Sequence, residues 1–421
     1  MKVNELAING GKPTIDKEFQ RYNPLGKEEV MAVNKVMESG VLSDFYGTKG
    51  DFFLGGKNVK EFEKNICDFY SVKYAVTFNS WTSGLIAAVG ALELSPGDEV
   101  IVPTWTMCAT ATAVLHWNAI PIFADIEKES FNIDPISIEK NISEKTKAII
   151  AVDIFGLPAN LKKIKQICNK YNLKLINDSA QSPTSKIDCN YVGSESDIGG
   201  FSLNYHKHFH TGEGGILITN NEKIYNKVCL IRNHGEACVE SDDNLTNVLG
   251  FNFRMGEIEA AIGIQQLKKI NKLVEIKINL AEQLIEGLKK FNGIATPKTP
   301  DNYTHSYYVL PLILDVKKIG IDRKTITEAL IAEGVPVSSG YQNIHMLPIY
   351  QNKIAFGDAG FPWNYKDTRK NISYKKGICP VAEELHEETF FFIPICSYEL
   401  FEDDVDKILE AFNKVWQNLR I

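Results

Sequence analysis

Residues 199–219 read GGFSLNYHKHFHTGEGGILIT, in which two short β-rich apolar runs flank a polar loop. We predict strands at 199–203 and at 216–219. The connection between them is too short for the crossover helix that joins parallel neighbours, so we expect the second strand to run antiparallel to the first. This stretch therefore predicts an antiparallel strand within the main sheet.

Earlier in the chain, similar apolar runs alternate with amphipathic helical patterns such as LKKIKQICNKY at 161–171. Such alternation is typical of a mostly parallel sheet with helices on both faces. We therefore predict an α/β fold with a mostly parallel seven-stranded sheet in a large domain. The five earlier strands are predicted at Tyr74–Phe78, Glu99–Val102, Ile120–Phe123, Ala148–Val152 and Lys174–Asn177.

The later part of the chain predicts a smaller α+β domain. Apolar residues recur mostly three or four positions apart from Met255 onward, which predicts one long helix that ends near 291–293. We expect 1–255 to form an N-terminal arm and the large domain, and 256–421 to form the long linking helix and the small domain. The remaining predictions are strands at 307–314, 335–340 and 389–394, helices at 323–334 and 403–416, and an irregular stretch at 351–378.

Composition limits the classes of partner. The chain has 421 residues and a net charge of −7, without a long basic run, which argues against nucleic acid or an anionic membrane as the main partner. A small anionic ligand can still bind at a locally positive site. The eight cysteines are scattered and form no CxxC pair, which is typical of reduced thiols in a cytoplasmic protein. No run of about 18 apolar residues occurs, so we predict no membrane-spanning helix.

Three polar features follow predicted strands at the carboxyl ends, where open α/β sheets bind ligands. The segment NSWTSGL at 79–85 opens a helix, and free amides at a helix N-terminus bind phosphate. Asp178 follows a second strand and Lys207 a third. Alone, such an aspartate is usually a cap and such a lysine is usually solvated. Together they are the parts of a pyridoxal phosphate site: the lysine forms the Schiff base, and the aspartate keeps the pyridine nitrogen protonated.

The three histidines around Lys207 suggest an alternative, because alternate histidines on one strand face can bind zinc. His206, His208 and His210 lie between two predicted strands, however, and Glu213 is the nearby acidic residue. We therefore predict no metal site and interpret the histidines as hydrogen-bonding loop residues, one of which could line a substrate pocket.

A series of motifs extends these features along the chain. In order, they are FNSWTSGL, PGDEVIVPTWTMCATATAV, IPIFADI, INDSAQSPTS, DIGGFSLNYHKHFHTGEGGILITNN, LIRNHGE, GFNFRMGEIEAAIGIQQL and IHMLPIY. Together they resemble the motifs of the DegT/DnrJ/StrS sugar aminotransferases, which depend on pyridoxal phosphate and have the aspartate aminotransferase fold, type I. The resemblance runs from about residue 26 to the C-terminus.

The resemblance implies roles around the cofactor ring. Lys207 matches the Schiff-base lysine, Asp178 the aspartate on the pyridine nitrogen, and Gln181 the residue near the ring hydroxyl. Some relatives carry a histidine in place of the lysine and act as sugar dehydratases. His206 or His208 could take that place only if the register slipped by one residue, and the flanking FSL and TGEGG fix the register.

The resemblance also implies a phosphate site. Ser202 matches a phosphate-binding serine, and Trp81 and Thr82 match a Gly-Thr pair whose amides hold the phosphate. Asn252 matches an asparagine that reaches the phosphate from a neighbouring subunit, which implies a homodimer with shared active sites. The bulky Trp81 departs from the usual small residue, so we expect its indole to point away from the phosphate, with the substrate pocket as one possible place.

A second departure concerns the residue that stacks on the pyridine ring. The position of the usual aromatic residue is Met107 here, whose thioether can lie over a π-face. Trp105, two residues earlier, could substitute only if the loop differs.

The resemblance implies transfer of an amino group from an amino acid to a keto sugar, in amino-sugar or polysaccharide biosynthesis. By analogy with the family the donor is L-glutamate, and for most relatives the keto sugar is nucleotide-linked. The segment LAINGGKP at 6–13 also resembles relatives that act on keto-inositols and aminohydroxybenzoate precursors. A free keto-cyclitol or another non-nucleotide keto sugar therefore stays open as the acceptor. A non-catalytic pyridoxal phosphate sensor is a further alternative, disfavoured by the negative charge and the lack of a helix-turn-helix extension.

Overall fold

The computed structural model describes residues 5–48, 50–235 and 248–421. The strands are β1 (Tyr74–Phe78), β2 (Glu99–Pro103), β3 (Ile120–Ala124), β4 (Thr146–Val152), β5 (Lys174–Asp178), β6 (Lys186–Ile187), β7 (Asn190–Tyr191), β8 (Ile198–Ser202), β9 (Gly215–Thr219), β10 (Ile294–Ala295), β11 (Leu310–Leu314), β12 (Ser338–Ser339) and β13 (Phe390–Ile393).

The helices are α1 (Lys27–Ser39), α2 (Lys57–Tyr70), α3 (Trp81–Gly90), α4 (Ala109–Leu115), α5 (Pro135–Asn141), α6 (Leu161–Tyr171), α7 (Glu222–Arg232), α8 (Glu257–Leu288), α9 (Val316–Ile319), α10 (Arg323–Ala332), α11 (Pro348–Gln351), α12 (Pro380–Glu384) and α13 (Glu402–Leu419). Within the three described ranges, none of these helices is long and apolar enough to cross a bilayer.

The large sheet has the order β1-β9-β8-β5-β4-β2-β3. β9 runs antiparallel to both β1 and β8, whereas the pairs from β8 through β5, β4 and β2 to β3 are parallel. The predicted mostly parallel seven-stranded sheet is therefore confirmed, and so is its antiparallel strand. The carboxyl ends of β5 and β8 lie side by side, because Asp178 pairs in register with Gly200.

Helices cover both faces of this sheet, so its strands are almost entirely buried. α6 shows the sequence pattern that causes this packing. The Asn160 side chain caps its first turn by accepting a hydrogen bond from the Lys163 amide at 3.2 Å. The apolar residues of α6 recur three or four positions apart and form its buried face, namely Leu161, Ile164, Ile167 and Cys168.

The predicted long helix is observed as α8, which has 32 residues. Ile264 and Leu267 in its first half pack in a core with α2, whereas Leu280 and Leu284 in its second half pack in a core with α13. The second core includes the small antiparallel sheet, of order β10-β11-β13-β12. α8 therefore joins both cores, and the division of the chain after residue 255 stays a prediction.

All three predicted strands of the small sheet are shorter than predicted, and the one predicted at 389–394 is observed at Phe390–Ile393. The strand predicted at 307–314 is observed only at Leu310–Leu314, because the Tyr308 amide donates instead to the Phe155 carbonyl oxygen at 2.9 Å. The strand predicted at 335–340 is reduced to Ser338–Ser339, since residues before it make local turn hydrogen bonds. In these last two cases contacts outside the sheet compete with the strand ladder.

The segment before α1 packs against the small sheet. Leu6 and Ile15 are buried in the core that contains this sheet. The carboxylate of Glu333, which follows α10 and is fully buried, accepts hydrogen bonds from the Thr14 amide at 2.9 Å and from the Lys414 ammonium at 2.9 Å. The N-terminal arm is therefore fastened by a buried charge as well as by apolar contacts.

Candidate active site

Lys207 lies in the loop between β8 and β9 and is only 8% exposed. Its Nζ lies 4.2 Å from the ring centroid of Tyr308, a cation–π distance. Burial lowers the pKa of Lys207 to about 8, although the negative charge of Asp178 opposes this change. The arm before α1 supports the loop, since the Tyr22 hydroxyl donates to the His208 carbonyl oxygen at 2.9 Å. The amine is thus held in place and is easier to deprotonate than an exposed lysine.

Asp178 ends β5 and is 3% exposed. Its Oδ1 accepts hydrogen bonds from the Trp81 indole at 2.8 Å and from the Ala180 amide at 3.2 Å, while Oδ2 accepts from the Thr110 hydroxyl at 3.0 Å. Burial raises the pKa of Asp178, and these hydrogen bonds together with the charge of Lys207 oppose that rise. The carboxyl group is therefore fixed in direction by donors on both sides.

The N-terminus of α3 forms the third part of the site. Ser80 caps the helix, because its Oγ accepts a hydrogen bond from the Ser83 amide at 3.1 Å. Thr82 in the first turn is exposed, and amides in a first turn have no partner within the helix. β9 passes close behind this end, since a Cβ on Gly215 would lie 2.5 Å from the Trp81 nitrogen. The GEGG segment therefore permits close backbone approach, which requires glycine at this position.

The Trp81 indole is buried in the protein interior. The side chain is 4% exposed and packs against Gly200 of β8. Its indole N–H donates a hydrogen bond to Asp178 Oδ1 at 2.8 Å. The sequence could not show this direction, because the space for the indole is created by a glycine on a distant strand.

Ser202 is the last residue of β8, and Gln181 lies three residues after the end of β5. Ser202 is half-buried at the end of β8, and its Oγ accepts a hydrogen bond from the Asn204 amide at 3.3 Å. Gln181 is 6% exposed, and its Oε1 accepts from the Phe155 amide at 2.7 Å. Because the carbonyl oxygen of Gln181 is occupied, its NH₂ group is the part that can donate to a ligand oxygen.

The loop before α4 separates Met107 from Trp105. Met107 is 66% exposed, whereas Trp105 is fully buried and donates from Nε1 to Asn343 at 2.7 Å. Trp105 packs in an aromatic cluster with Phe131 and Phe390. Trp105 is therefore a core residue, whereas the exposed Met107 can contact a ligand.

The three histidines have different surroundings. His208 is buried and its Nε2 contacts the Ser306 carbonyl oxygen at 2.8 Å, whereas the His210 Nδ1 accepts from the Gly212 amide at 3.2 Å. Burial lowers the pKa of His206 to about 4 and of His208 to about 3, so both are neutral at physiological pH. Across residues 5–48, 50–235 and 248–421, no group of three or more His, Cys, Asp or Glu side chains is arranged to hold a metal ion.

Asn252 is placed differently from the other predicted residues. It is exposed, and its Oδ1 accepts a hydrogen bond from Arg254 Nε at 2.8 Å. This contact lies outside the cluster around Lys207.

Two contacts in the cluster were not predicted from the sequence. Thr110 lies one turn beyond Met107 and is a small residue in an alanine-rich helix, with no pattern that marks a ligand contact. Tyr308 was assigned to a strand, so its ring was not expected beneath Lys207. Both contacts depend on tertiary packing between distant segments.

Comparison with known proteins gives a consistent set of relatives. A sequence profile of the DegT/DnrJ/EryC1/StrS aminotransferase family matches residues 26–364. The chain is similar to a GDP-perosamine synthase of Vibrio cholerae, with 30% identity over 327 residues, 77% of this chain and 87% of that protein. It is also similar to a putative L-glutamine:3-amino-2,3-dideoxy-scyllo-inosose aminotransferase of Micromonospora echinospora, with 28% identity over 99% of this chain and 98% of that protein.

A solved structure agrees with these relatives. Helicobacter pylori PseC, an aminotransferase involved in the biosynthesis of pseudoaminic acid, matches with a TM-score of 0.78 and 27% identity, over 96% of this chain and 100% of that chain. The resemblance noted in the sequence is therefore confirmed for the family and for the fold.

Proposed function

The chain belongs to the DegT/DnrJ/EryC1/StrS aminotransferase family, and from this membership we propose that it moves an amino group from an amino acid to a keto sugar. The observation that carries the proposal is the buried pair of Lys207 and Asp178 beside the N-terminus of α3. A buried amine of lowered pKa, a carboxylate and a phosphate-binding helix end are the groups that a transaminase site requires.

The family implies pyridoxal phosphate, and the residues of this site fit that group. Asp178 Oδ2 accepts one hydrogen bond from Thr110, which leaves acceptor capacity for a protonated pyridine nitrogen. Thr82 and the first amides of α3 suit a phosphate, with Ser202 beside them. When bound, pyridoxal phosphate supplies an aldehyde carbon that can carry an amino group and a ring that withdraws electrons.

We propose that Lys207 carries the proton transfer. The Lys207 Nζ would hold the cofactor between turnovers, and its free amine would take the proton from the amino-acid Cα as general base and, as the conjugate acid, deliver it to the former aldehyde carbon of the cofactor. A pKa of about 8 suits both roles near neutral pH, because protonated and neutral amine are both populated. Asp178 would hold a negative charge for the pyridine nitrogen, Gln181 would supply a donor for the ring oxygen, and Met107 would supply an apolar contact for the ring.

We also propose a homodimer with shared sites, in which Asn252 of each subunit reaches the phosphate of the other. Support comes from the exposure of Asn252, whose Nδ2 has no hydrogen-bond partner among the residues that the structure describes. Large apolar side chains are exposed on α1 and the segment after it, including Met31 at 61% and Leu42 at 46%. Exposed large apolar side chains in neighbouring parts of the sequence suit a subunit interface.

The acceptor that we favour is a nucleotide-linked keto sugar in amino-sugar or polysaccharide biosynthesis, as the name of the Vibrio relative suggests for that protein. A free keto-cyclitol is the second candidate. The inosose-type relative favours it, because its match extends over 99% of this chain, including the arm before α1.

The experiment is to convert the holoenzyme to its amine form with L-glutamate or L-glutamine and then to add acceptors one at a time. Return of the long-wavelength cofactor absorbance with nucleotide-linked 3-keto or 4-keto hexoses supports the first candidate, and return with keto-inositols supports the second. Cofactor binding without any response to amino acids would instead indicate a sensor, and loss of water from a keto sugar would indicate a dehydratase.

We propose a cytoplasmic location on the basis of the cysteines. In the described ranges seven cysteines are free thiols, and four of them are buried. Cys238 lies outside the described residues. Reduced thiols of this kind fit a reducing compartment.

A further inference from the structure

The Trp81 indole occupies a slot between α3 and the large sheet. A Cβ on Gly200 would lie 1.8 Å from the indole Cη2, and a Cβ on Gly84 would lie 2.5 Å from its Cε3. Neither glycine has a left-handed backbone, so the conformation does not demand glycine at either position. What each glycine provides is space, and the slot therefore fixes the direction of the indole.

Hydrogen bonds to Asp178 divide unequally between its two oxygens. A carboxylate oxygen has two acceptor sites. Oδ1 already accepts from the Trp81 indole and the Ala180 amide, so both of its sites are used. Oδ2 accepts from Thr110 and retains one site.

We propose that Trp81 is a positioning residue that turns the Asp178 carboxylate so that Oδ2 is the oxygen available to the pyridine nitrogen of the cofactor. The proposal rests on the function proposed above. An indole suits this task because its N–H can only donate, it does not titrate, and its rigid ring loses little conformational freedom in the slot.

The charged and titratable groups around Asp178 influence its pKa together with the Trp81 hydrogen bond. The charged or titratable neighbours are Lys207, Asp153, which follows β4, and Tyr341, which follows β12. Replacing Trp81 by Phe leaves these groups in place, removes the indole N–H donor and leaves part of the slot empty. The loss of that hydrogen bond disfavours the charged carboxylate and raises the pKa of Asp178.

The first test uses the protein without cofactor, labelled with ¹⁵N at its five tryptophan indoles. Trp81→Phe identifies the Trp81 N–H resonance by its disappearance. Asp178→Asn is then expected to shift that resonance and leave that of Trp117, which donates to the Ile86 carbonyl oxygen, unchanged. An unmoved Trp81 resonance would overturn the proposal. If Trp81→Phe does not fold, the Trp81 resonance can still be assigned, because it is the one indole signal that Trp117→Phe and the other single tryptophan variants all retain. The Asp178→Asn measurement therefore remains valid in that case.

The second test uses the cofactor-bound enzyme and compares Trp81→Phe with Trp117→Phe as a matched control. A hydrogen bond to a charged group typically contributes enough for a change of ~10-fold in an equilibrium constant. We therefore expect the dissociation constant for pyridoxal phosphate to rise by ~10-fold in Trp81→Phe and the pH profile of the bound-cofactor absorbance to shift. The control variant should match the wild type in both measurements.

The outcomes separate this inference from the proposed function. If Trp81→Phe matches Trp117→Phe in affinity and pH profile while the wild type transaminates, the positioning role is wrong and the function stands. If the wild type does not bind pyridoxal phosphate, the proposed function fails and the positioning role fails with it, even where the indole resonance still reports the contact with Asp178.

Discussion

Burial of Lys207 should make the cofactor-free protein less stable than the same fold with an apolar side chain at this position. The structure lowers the Lys207 pKa from 10.5 to about 8. At about 1.36 kcal/mol per pKa unit, the charged lysine costs the folded state about 3 kcal/mol below pH 8. We expect Lys207→Met to raise the free energy of unfolding by about 3 kcal/mol at neutral pH.

The pH dependence gives the sharper test of this reasoning. Between pH 8 and 10.5 the unfolded chain holds a proton on Lys207 that the folded chain has lost, so the wild type gains stability as the pH rises. The advantage of Lys207→Met is therefore full below pH 8 and is lost as the pH approaches 10.5. Urea unfolding of cofactor-free protein, followed by tryptophan fluorescence at one fixed chain concentration, measures the difference at each pH.

The control is Lys64→Met, at an exposed lysine on α2. This variant measures how removal of a solvated lysine changes the free energy of unfolding over the same pH range. The reasoning is refuted if the difference between wild type and Lys207→Met stays constant with pH, or changes no more than the difference for the control.

Three further outcomes are expected. Gly200→Ala should lower the free energy of unfolding by about 3 kcal/mol, because the added Cβ clashes with the Trp81 indole. In a Trp81→Ala background the same substitution should change the free energy of unfolding very little. Equal changes in the two backgrounds, measured by urea unfolding, would contradict this packing. Lys207→Ala and Asn252→Ala should each lack turnover, and mixing the two under subunit exchange should restore part of it; a mixture that stays inactive in the aminotransferase assay, although mixed dimers form, argues against shared sites. Asp178→Asn should still bind pyridoxal phosphate but slow amino-acid deprotonation by at least ~10²-fold in stopped-flow absorbance, whereas a wild-type rate would remove Asp178 from the mechanism.

The strands of the large sheet could be predicted from the sequence because the pattern of apolar residues and the loop lengths determine them locally. Lys207 and Asp178 follow strands whose order in the sheet obeys general rules for α/β folds, so their proximity could be expected before the structure was known. The antiparallel return after Lys207 followed from the length of its loop alone.

The direction of Trp81 could not be predicted in this way. It depends on Gly200, which lies 119 positions later in the chain and on another strand. The same limit applies to Tyr308, whose backbone leaves the small sheet to pair with Phe155. Each side chain is placed by packing between segments that local patterns treat separately.

The buried Glu333 has a practical consequence for shortened versions of the protein. The family match begins at residue 26, which would be a natural start for an expression fragment. Such a fragment would lose Thr14, which donates hydrogen bonds to the Glu333 carboxylate beside Lys414, and a hydrogen bond to a charged group typically contributes about 1.5–3 kcal/mol. It would also remove Tyr22 from beside the Lys207 loop. Fragments intended for crystallisation or assay should therefore keep the whole arm from Glu5.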